Sequence, residues 1–214
     1  MNRIASLWMM ALAAVACAGT SLAQAPAGDA AGAVLAIGAA APMADTKMTG
    51  VDEKEITLAE AAGKKGTMVI FMCNHCPWVK AWQTRIAKIG NAAVAKGIGV
   101  VAVNSNDPAA YPEDDMANMK TRAKDLGFKF PYVVDGTSDL ARAFGATHTP
   151  EIFLFDASGK LVYHGAVDDN RDEKLVKKQY LQQAVAAVAA GKPVALAETK
   201  SLGCGIKYRG KSES

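Results

Sequence analysis

The stretch Thr67–Pro77 reads TMVIFMCNHCP, an apolar run followed directly by two cysteines three positions apart and a proline. Residues Met68–Met72 are apolar without alternation, which is typical of a central strand covered on both faces of its sheet. Pro77 suits the first turn of a helix, where its missing N–H leaves no hydrogen bond unmade. A buried strand that ends in Cys-x-x-Cys and leads into a helix indicates reversible thiol–disulfide chemistry rather than a structural crosslink.

A zinc site is the main alternative for the pair Cys73 and Cys76. Such a site needs two more ligands at a suitable spacing, and the sequence has neither a second Cys-x-x-Cys nor a spaced His pair. We therefore expect a redox-active pair with no metal and no other cofactor.

Residues 1–23 have the features of a secretory signal peptide. Arg3 supplies a positive charge, an apolar stretch runs from Ile4 to about Ala18, and Ser21-Leu22-Ala23 forms a small-x-small cleavage pattern. The apolar stretch is too short for a membrane span, so we expect no stable membrane insertion. The mature protein is expected to be periplasmic or secreted, which is an oxidising environment.

The remaining 191 of the 214 residues are expected to form one domain with two flanking segments. Residues 24–37, rich in Ala, Gly and Pro, are predicted to be a flexible lead-in, residues 38–193 the folded domain, and residues 194–214 a C-terminal tail. The net charge of +3 is not concentrated in a basic cluster interleaved with aromatic residues, so no nucleic-acid partner is expected.

Hydrophobic periodicity predicts strands that alternate with helices after the Cys-x-x-Cys motif. The first expected helix is opened by Pro77 and stops at Gly97, with inward residues Val79, Trp82, Ile86, Ile89 and Ala93, and a strand Ile98–Val103 follows it. The second helix is opened by Pro112, with inward residues Met116, Met119, Ala123 and Leu126, and is followed by a strand Phe130–Val134 and a short helix around Leu140–Phe144. The chain then forms a hairpin of Glu151–Phe155 and Leu161–Tyr163 and a last helix from about Asp172 to Ala190 with Val176 inward. This order predicts an α/β domain with a mixed central sheet.

The combined pattern resembles the thioredoxin-like redoxin proteins related to the AhpC/TSA peroxiredoxins. The resemblance extends over nearly all of the chain from Gly38 to Arg209. It is carried by the segments Phe71–Trp78, Val103–Asp107, Tyr111–Asp114, Thr149-Pro150 before Phe153–Asp156, and Gly203–Lys207. It implies a thioredoxin fold, a mixed sheet flanked by helices, with peroxiredoxin-like additions.

The resemblance also implies roles for individual residues. Cys73 would be the exposed nucleophile at a helix N-terminus, and Cys76 the buried partner that resolves the mixed disulfide. Thr149-Pro150 would form the loop that faces the dithiol, with a cis peptide bond before Pro150 and with the Thr149 backbone pairing with substrate.

His75 is predicted to make the disulfide a stronger oxidant. The helix N-terminus and the nearby ring both favour the Cys73 thiolate, and a stabilised thiolate raises the reduction potential. Disulfide-forming oxidases and isomerases of the thioredoxin superfamily carry His at the same place. Thr67 stands where thioredoxins have a buried Asp that assists proton transfer, so the residue that handles protons is not identified by the resemblance.

Of three further residues, His148 and Cys204 are open to more than one interpretation. His148 precedes the Thr149-Pro150 loop and is interpreted as a polar loop residue, with a position near the dithiol as the alternative. His164 is interpreted as structural. Cys204, a possible additional redox thiol in a Gly-flanked tail, is expected to resolve a disulfide from Cys73, to form an intermolecular link, or to be an inert thiol.

These observations predict an exported thiol–disulfide oxidoreductase that acts on disulfide- or dithiol-containing proteins or small molecules together with a partner redox protein. One alternative is a thiol peroxidase, although Cys73 occupies the Thr position of the peroxiredoxin motif and Val69 its Pro position. The other is a copper-binding chaperone, since thiolates and imidazole suit Cu(I), although the tail is not rich in Met or His.

Overall fold

A mixed central sheet forms the middle of the domain in the computed structural model, which describes residues 32–210. One part has the strand order β2 (Glu55–Ile56), β1 (Met48–Gly50), β5 (Tyr132–Val134), β4 (Ile98–Asn104), and the other the order β3 (Gly66–Phe71), β7 (Glu151–Asp156), β8 (Leu161–Gly165). The parts meet along β4 and β3, where the Met72 N–H donates to the Val103 carbonyl at 2.9 Å. β4 and β5 are parallel, whereas β7 is antiparallel to both of its neighbours.

Helices cover both faces of this sheet. They are α1 (Pro77–Ala95), α2 (Met116–Asp125), α3 (Asp139–Phe144) and α4 (Tyr180–Ala189). Successive residues of β3 point to opposite faces, so Met68 and Ile70 join one core cluster with residues of α1 and α4, and Val69 and Phe71 join another with residues of α3. Burial on both sides explains why this strand is apolar at every position.

Helix α1 confirms the periodicity prediction. Its inward positions Val79, Trp82, Ile86 and Ala93 are fully buried. The helix ends at Ala95, and Gly97 follows in the left-handed region with φ 85°. Pro77 is its first residue, as expected.

The two later long helices both begin further along the chain than predicted. Residues Pro112–Asp114 form a 3₁₀ turn, and α2 begins only at Met116 because Asp115, in extended conformation, caps it by accepting the Asn118 N–H at 2.8 Å. Only Met119 of the four predicted inward side chains is fully buried.

The predicted start of the last helix at Asp172 was also wrong. Helix α4 begins at Tyr180, and half-buried Val176 has an extended backbone with ψ 124°. The Asp169 carboxylate accepts the N–H groups of Lys177 and Lys178 at 2.9 and 3.0 Å. A side chain that takes these donors competes with the helical hydrogen bonds they would otherwise make.

The segments on both sides of the predicted domain lie against it. In the predicted lead-in, the Leu35 N–H donates to the Phe144 carbonyl at 3.0 Å. In the tail, β9 (Cys204–Gly205) pairs antiparallel with β6 (His148–Thr149), with Thr149 opposite Cys204. The tail, as far as residue 210, is therefore part of the folded structure.

The predicted signal peptide, residues 1–23, lies outside the described residues. Within the described part of the chain, none of the helices has the length and apolar character that a membrane span requires.

Candidate redox site

The two cysteines of the motif lie at the junction between β3 and α1. Cys73 follows the strand after one residue, and Cys76 is the N-cap residue of the helix. Both have 0% exposed surface. The expectation that Cys73 is exposed was therefore wrong, because the loop before β7 covers the dithiol.

That loop is Thr149-Pro150, and its peptide bond is cis, as the resemblance implied. The Thr149 Oγ1 lies 3.2 Å from the Cys73 sulfur, and the Thr149 carbonyl oxygen lies 3.2 Å from the Cys76 sulfur. One residue thus contacts both thiols. The same residue pairs through its backbone with Cys204 of β9, so the chain's own tail occupies a strand edge that we expected to pair with substrate.

The side chain of Glu151 holds the Thr149-Pro150 loop in place through hydrogen bonds. Its Oε2 accepts the N–H groups of Thr147 and His148 at 2.7 and 2.9 Å, and its Oε1 bonds to the His164 Nε2 at 2.7 Å. His164 thus has a structural partner. The His148 ring bonds to the Thr147 Oγ1 at 2.8 Å.

We expect Glu151→Gln to destabilise the fold. Burial acts to raise the pKa of Glu151, but the hydrogen bonds from His164 and from the two backbone N–H groups act more strongly and lower it below 4.5. A folded-state pKa below the unfolded value stabilises the protein above pH 4.5, and this contribution is lost as the pH falls through the folded-state pKa. Urea unfolding at neutral pH should show a loss of about 1–3 kcal/mol.

The matched control is Glu55→Gln, which removes an exposed carboxylate paired with Lys47. A surface pair contributes about 0–1 kcal/mol, so this variant should unfold close to the wild type. The stability of Glu151→Gln should also depend less on pH in the acid range than that of the wild type. Equal acid dependence in both proteins would show that Glu151 does not carry this contribution.

Asp114 is the site residue that sequence reasoning missed. It lies in the 3₁₀ turn before α2 and is 1% exposed. Its Oδ1 accepts the N–H groups of Asn74 and His75 at 2.6 and 3.0 Å, and its Oδ2 bonds to the His75 Nδ1 at 2.6 Å and to the Asn106 Nδ2 at 2.8 Å. The only signal in the sequence was its place in the Tyr111–Asp114 segment of the resemblance.

Asp114 and His75 form a pair beside Cys73. The Cys73 sulfur, a ring nitrogen of His75 and a carboxylate oxygen of Asp114 lie within 4.8 Å of one another. The His75 ring stacks on Tyr111 at 4.0 Å between ring centroids, so its position is fixed on two sides. The Asp114 carboxylate in turn makes four hydrogen-bond contacts, with two backbone N–H groups and with the side chains of His75 and Asn106.

The electrostatics of the dithiol differ from our expectation. The hydrogen bond to Cys76, burial and the Asp114 charge raise the pKa of Cys73. The hydrogen bond from Cys73 lowers the pKa of Cys76 to about 4, against the effect of burial and with help from Cys204 and the Val79 N–H. The first turn of a helix favours an anion in the same way. These effects favour ionisation of Cys76 over ionisation of Cys73, which is the reverse of our expectation.

Cys204 lies beside Cys76. The two sulfur atoms are 2.7 Å apart, and Cys204 is half-buried. The structure thus brings together the predicted site residues Cys73, His75, Cys76, Thr149 and Pro150, adds Asp114, and places the third thiol against Cys76 rather than against Cys73.

The sequence matches the Redoxin family over residues 36–180, which is more than half of the chain. The chain belongs to the redoxin family. The redoxin is 36% identical to an uncharacterised conserved protein from Geobacillus kaustophilus, whose structure superposes with a TM-score of 0.77 over 83% of this chain and 94% of that one. A thioredoxin-like protein solved in its oxidised form, 20% identical, superposes with a TM-score of 0.56 over 73% of this chain and 97% of the other. The fold is thus thioredoxin-like, as predicted.

Among curated proteins, the redoxin is 25% identical over 127 residues to the thiol-disulfide oxidoreductase ResA of Geobacillus thermodenitrificans, a match that covers 59% of this chain and 67% of the relative. Family membership and this relative together support oxidoreductase activity in general.

Proposed function

We propose that this redoxin is a thiol–disulfide oxidoreductase whose Cys73–Cys76 pair alternates between dithiol and disulfide. The observation that carries the proposal is the placement of two thiols at the start of α1, both in contact with Thr149. Two cysteines three residues apart at a helix N-terminus can close a small disulfide ring, and the helix N-terminus stabilises the thiolate that the exchange needs.

In the proposed reduction of a substrate disulfide, the loop and the tail that cover Cys73 first move aside. Cys73 then forms the mixed disulfide and Cys76 resolves it. The proton of Cys73 passes to the adjacent His75–Asp114 pair as its sulfur attacks, and one substrate sulfur leaves as a thiolate. The Cys76 thiolate then attacks the Cys73 sulfur, which forms the Cys73–Cys76 disulfide and releases the second substrate sulfur. The N-terminus of α1 favours the Cys76 thiolate in this second step.

The test is an exchange assay on a model protein disulfide with a small dithiol as electron donor. We expect the wild type to catalyse the reaction and Cys73→Ser to lose it, because the sulfur that forms the mixed disulfide in this proposal is replaced by a hydroxyl oxygen. Lys80→Gln, an exposed change on the same helix, serves as the matched control and should retain activity. A Cys73→Ser variant as active as the wild type would contradict the proposal.

Export is part of the proposed function. The support is the leader-like sequence of residues 1–23 and the use of a disulfide pair, which suits an oxidising compartment. The protein can be expressed in a bacterium that has an inner and an outer membrane, and the cells fractionated. N-terminal sequencing of the periplasmic fraction should then give a mature chain that begins at Gln24. An uncleaved chain in the cytosol would contradict this part.

One observation favours a thiol peroxidase as the second candidate. The lowered pKa belongs to Cys76, the position that a peroxidatic cysteine would take when Cys73 stands at the Thr position of that motif. The full burial of Cys76 limits the access of peroxide to it. Peroxide consumption that survives in Cys73→Ser and is lost in Cys76→Ser would support this function over disulfide exchange.

A further inference from the structure

The third thiol of the described residues lies almost within bonding distance of the motif. The Cys204 and Cys76 sulfur atoms are 2.7 Å apart, which exceeds the length of a disulfide bond by about 0.7 Å. The sulfur of Cys204 bonds to no other side chain in the hydrogen-bond network of residues 32–210. A shift of less than one ångström would therefore join it to Cys76.

The tail holds Cys204 at this place through its backbone. β9 pairs with β6, the Ile206 N–H donates to the Thr147 carbonyl at 2.9 Å, and the Lys207 N–H donates to the Asn106 Oδ1 at 2.8 Å. Gly203 lies so close to Thr149 that a Cβ atom there would approach the Thr149 carbonyl oxygen to 2.2 Å. These contacts on both sides of Cys204 position the thiol and do not leave it on a free end.

We propose that Cys204 is a third redox residue. Its sulfur displaces the Cys73 sulfur from Cys76 and so moves the disulfide to the pair Cys76–Cys204. The proposal rests on the proposed function, because it starts from an oxidised Cys73–Cys76 pair. The Cys204 thiolate attacks the Cys76 sulfur, the Cys73–Cys76 bond breaks, and Cys73 leaves as a thiolate. Cys204 gives its proton to solvent and Cys73 takes one up. The step is an isomerisation that consumes no oxidant or reductant.

Exposure gives this transfer a direction. Cys73 and Cys76 have no accessible surface, whereas Cys204 is half-buried. An external thiolate must touch the sulfur that it attacks. The transfer therefore carries the disulfide from the covered pair to a sulfur that a redox partner can reach, and it returns Cys73 to its reduced form.

The charges around Cys204 favour its ionisation once the motif is oxidised. Burial, together with the hydrogen bond to Cys76 and the charge on that residue, raises the pKa of Cys204 to about 11, while Lys207 acts to lower it. When Cys76 is part of a disulfide it carries no charge, so one cause of the raised pKa is removed. Cys204 thus becomes a better nucleophile at the stage at which the transfer needs it.

The test uses variants of the full chain in which one cysteine is replaced by serine. Each is oxidised with oxidised glutathione, and the disulfides are mapped by peptide mass spectrometry. Cys73→Ser should form a Cys76–Cys204 disulfide within one chain, with loss of both free thiols. Cys76→Ser is the matched control, since it also leaves two of the three thiols at this site, and Cys73 and Cys204 should instead carry separate glutathione adducts. In the wild type, both Cys73–Cys76 and Cys76–Cys204 peptides should appear after rapid acid quenching.

Two results would overturn the proposal. One is a Cys73→Ser protein that gives only glutathione adducts, together with a wild type in which no Cys76–Cys204 peptide appears. The other is an equal yield of internal disulfide in Cys76→Ser, which would show that the tail reacts without specificity. Cys204→Ser separates this outcome from the proposed function, because it should still form the Cys73–Cys76 disulfide. If it does not, the proposed function itself fails.

Discussion

Replacement of Cys76 by Ser is expected to stop turnover while leaving Cys73 able to form a mixed disulfide with substrate. The second sulfur resolves that intermediate from a fixed position beside the first, whereas in Cys76→Ser only an external thiol can do so. Well-oriented intramolecular reactions have effective molarities of about 10⁵–10⁸ M. Because reductants are supplied at millimolar concentration, we expect turnover to fall on the order of 10³-fold or more.

The variant should also make the intermediate visible. Intact-mass measurement and peptide mapping of a variant that carries both Cys76→Ser and Cys204→Ser, after reaction with a small disulfide, should show an adduct on Cys73. Cys204→Ser keeps the motif and should not accumulate this adduct. If Cys76→Ser turned over at the wild-type rate, or if no adduct formed on Cys73, the assignment of Cys73 and Cys76 as the exchanging pair would be wrong.

Replacement of Asp114 by Asn is expected to lower the pKa of Cys73. The negative charge of Asp114 raises that pKa, and its carboxylate lies within 4.8 Å of the sulfur. Removal of this charge lowers the pKa, so the Cys73 thiolate should form at lower pH. Stabilisation of the thiolate favours the reduced form of the pair and raises its reduction potential. The variant should therefore be a stronger oxidant.

The measurement is the pH dependence of Cys73 alkylation, resolved by peptide, in a background that carries Cys76→Ser and Cys204→Ser. This background removes the larger effect of Cys76 on the same pKa. Glu113→Gln is the matched control, because it neutralises the adjacent carboxylate, which is exposed and pairs with Lys80. An unchanged midpoint in Asp114→Asn would show that the Asp114 charge does not act on Cys73. We also expect a loss of stability of about 1–3 kcal/mol, since two hydrogen-bond donors lose their acceptor.

Much of the fold was predictable because local pattern and tertiary burial agree. Three patterns made it predictable, and each extends over a short stretch of sequence. They are the continuous apolar run of β3, the apolar residues spaced three and four apart in α1, and the Cys-x-x-Cys motif between these elements. The late start of α4 was not predictable from periodicity, because the Asp169 side chain takes N–H groups that the helical pattern assigns to the backbone.

The site was less predictable than the fold because its parts are distant in sequence. Asp114 reaches His75 across 39 positions, and Cys204 reaches Cys76 across 128. Neither contact leaves a periodic signal, and the sequence alone therefore assigned the thiolate to Cys73. In the structure, the hydrogen bond to Cys76, burial and the charge of Asp114 raise the pKa of Cys73. The hydrogen bond from Cys73 and the contact with Cys204 lower the pKa of Cys76.

The most direct test of the account is the redox equilibrium of the Cys73–Cys76 pair in glutathione buffers, with alkylation and peptide mapping at each ratio. The low pKa of Cys76 stabilises the reduced form, so we predict a reversible Cys73–Cys76 disulfide with a potential above that of thioredoxin, about −270 mV. A pair that forms no exchangeable disulfide, or one with a potential at or below about −270 mV, would contradict the account.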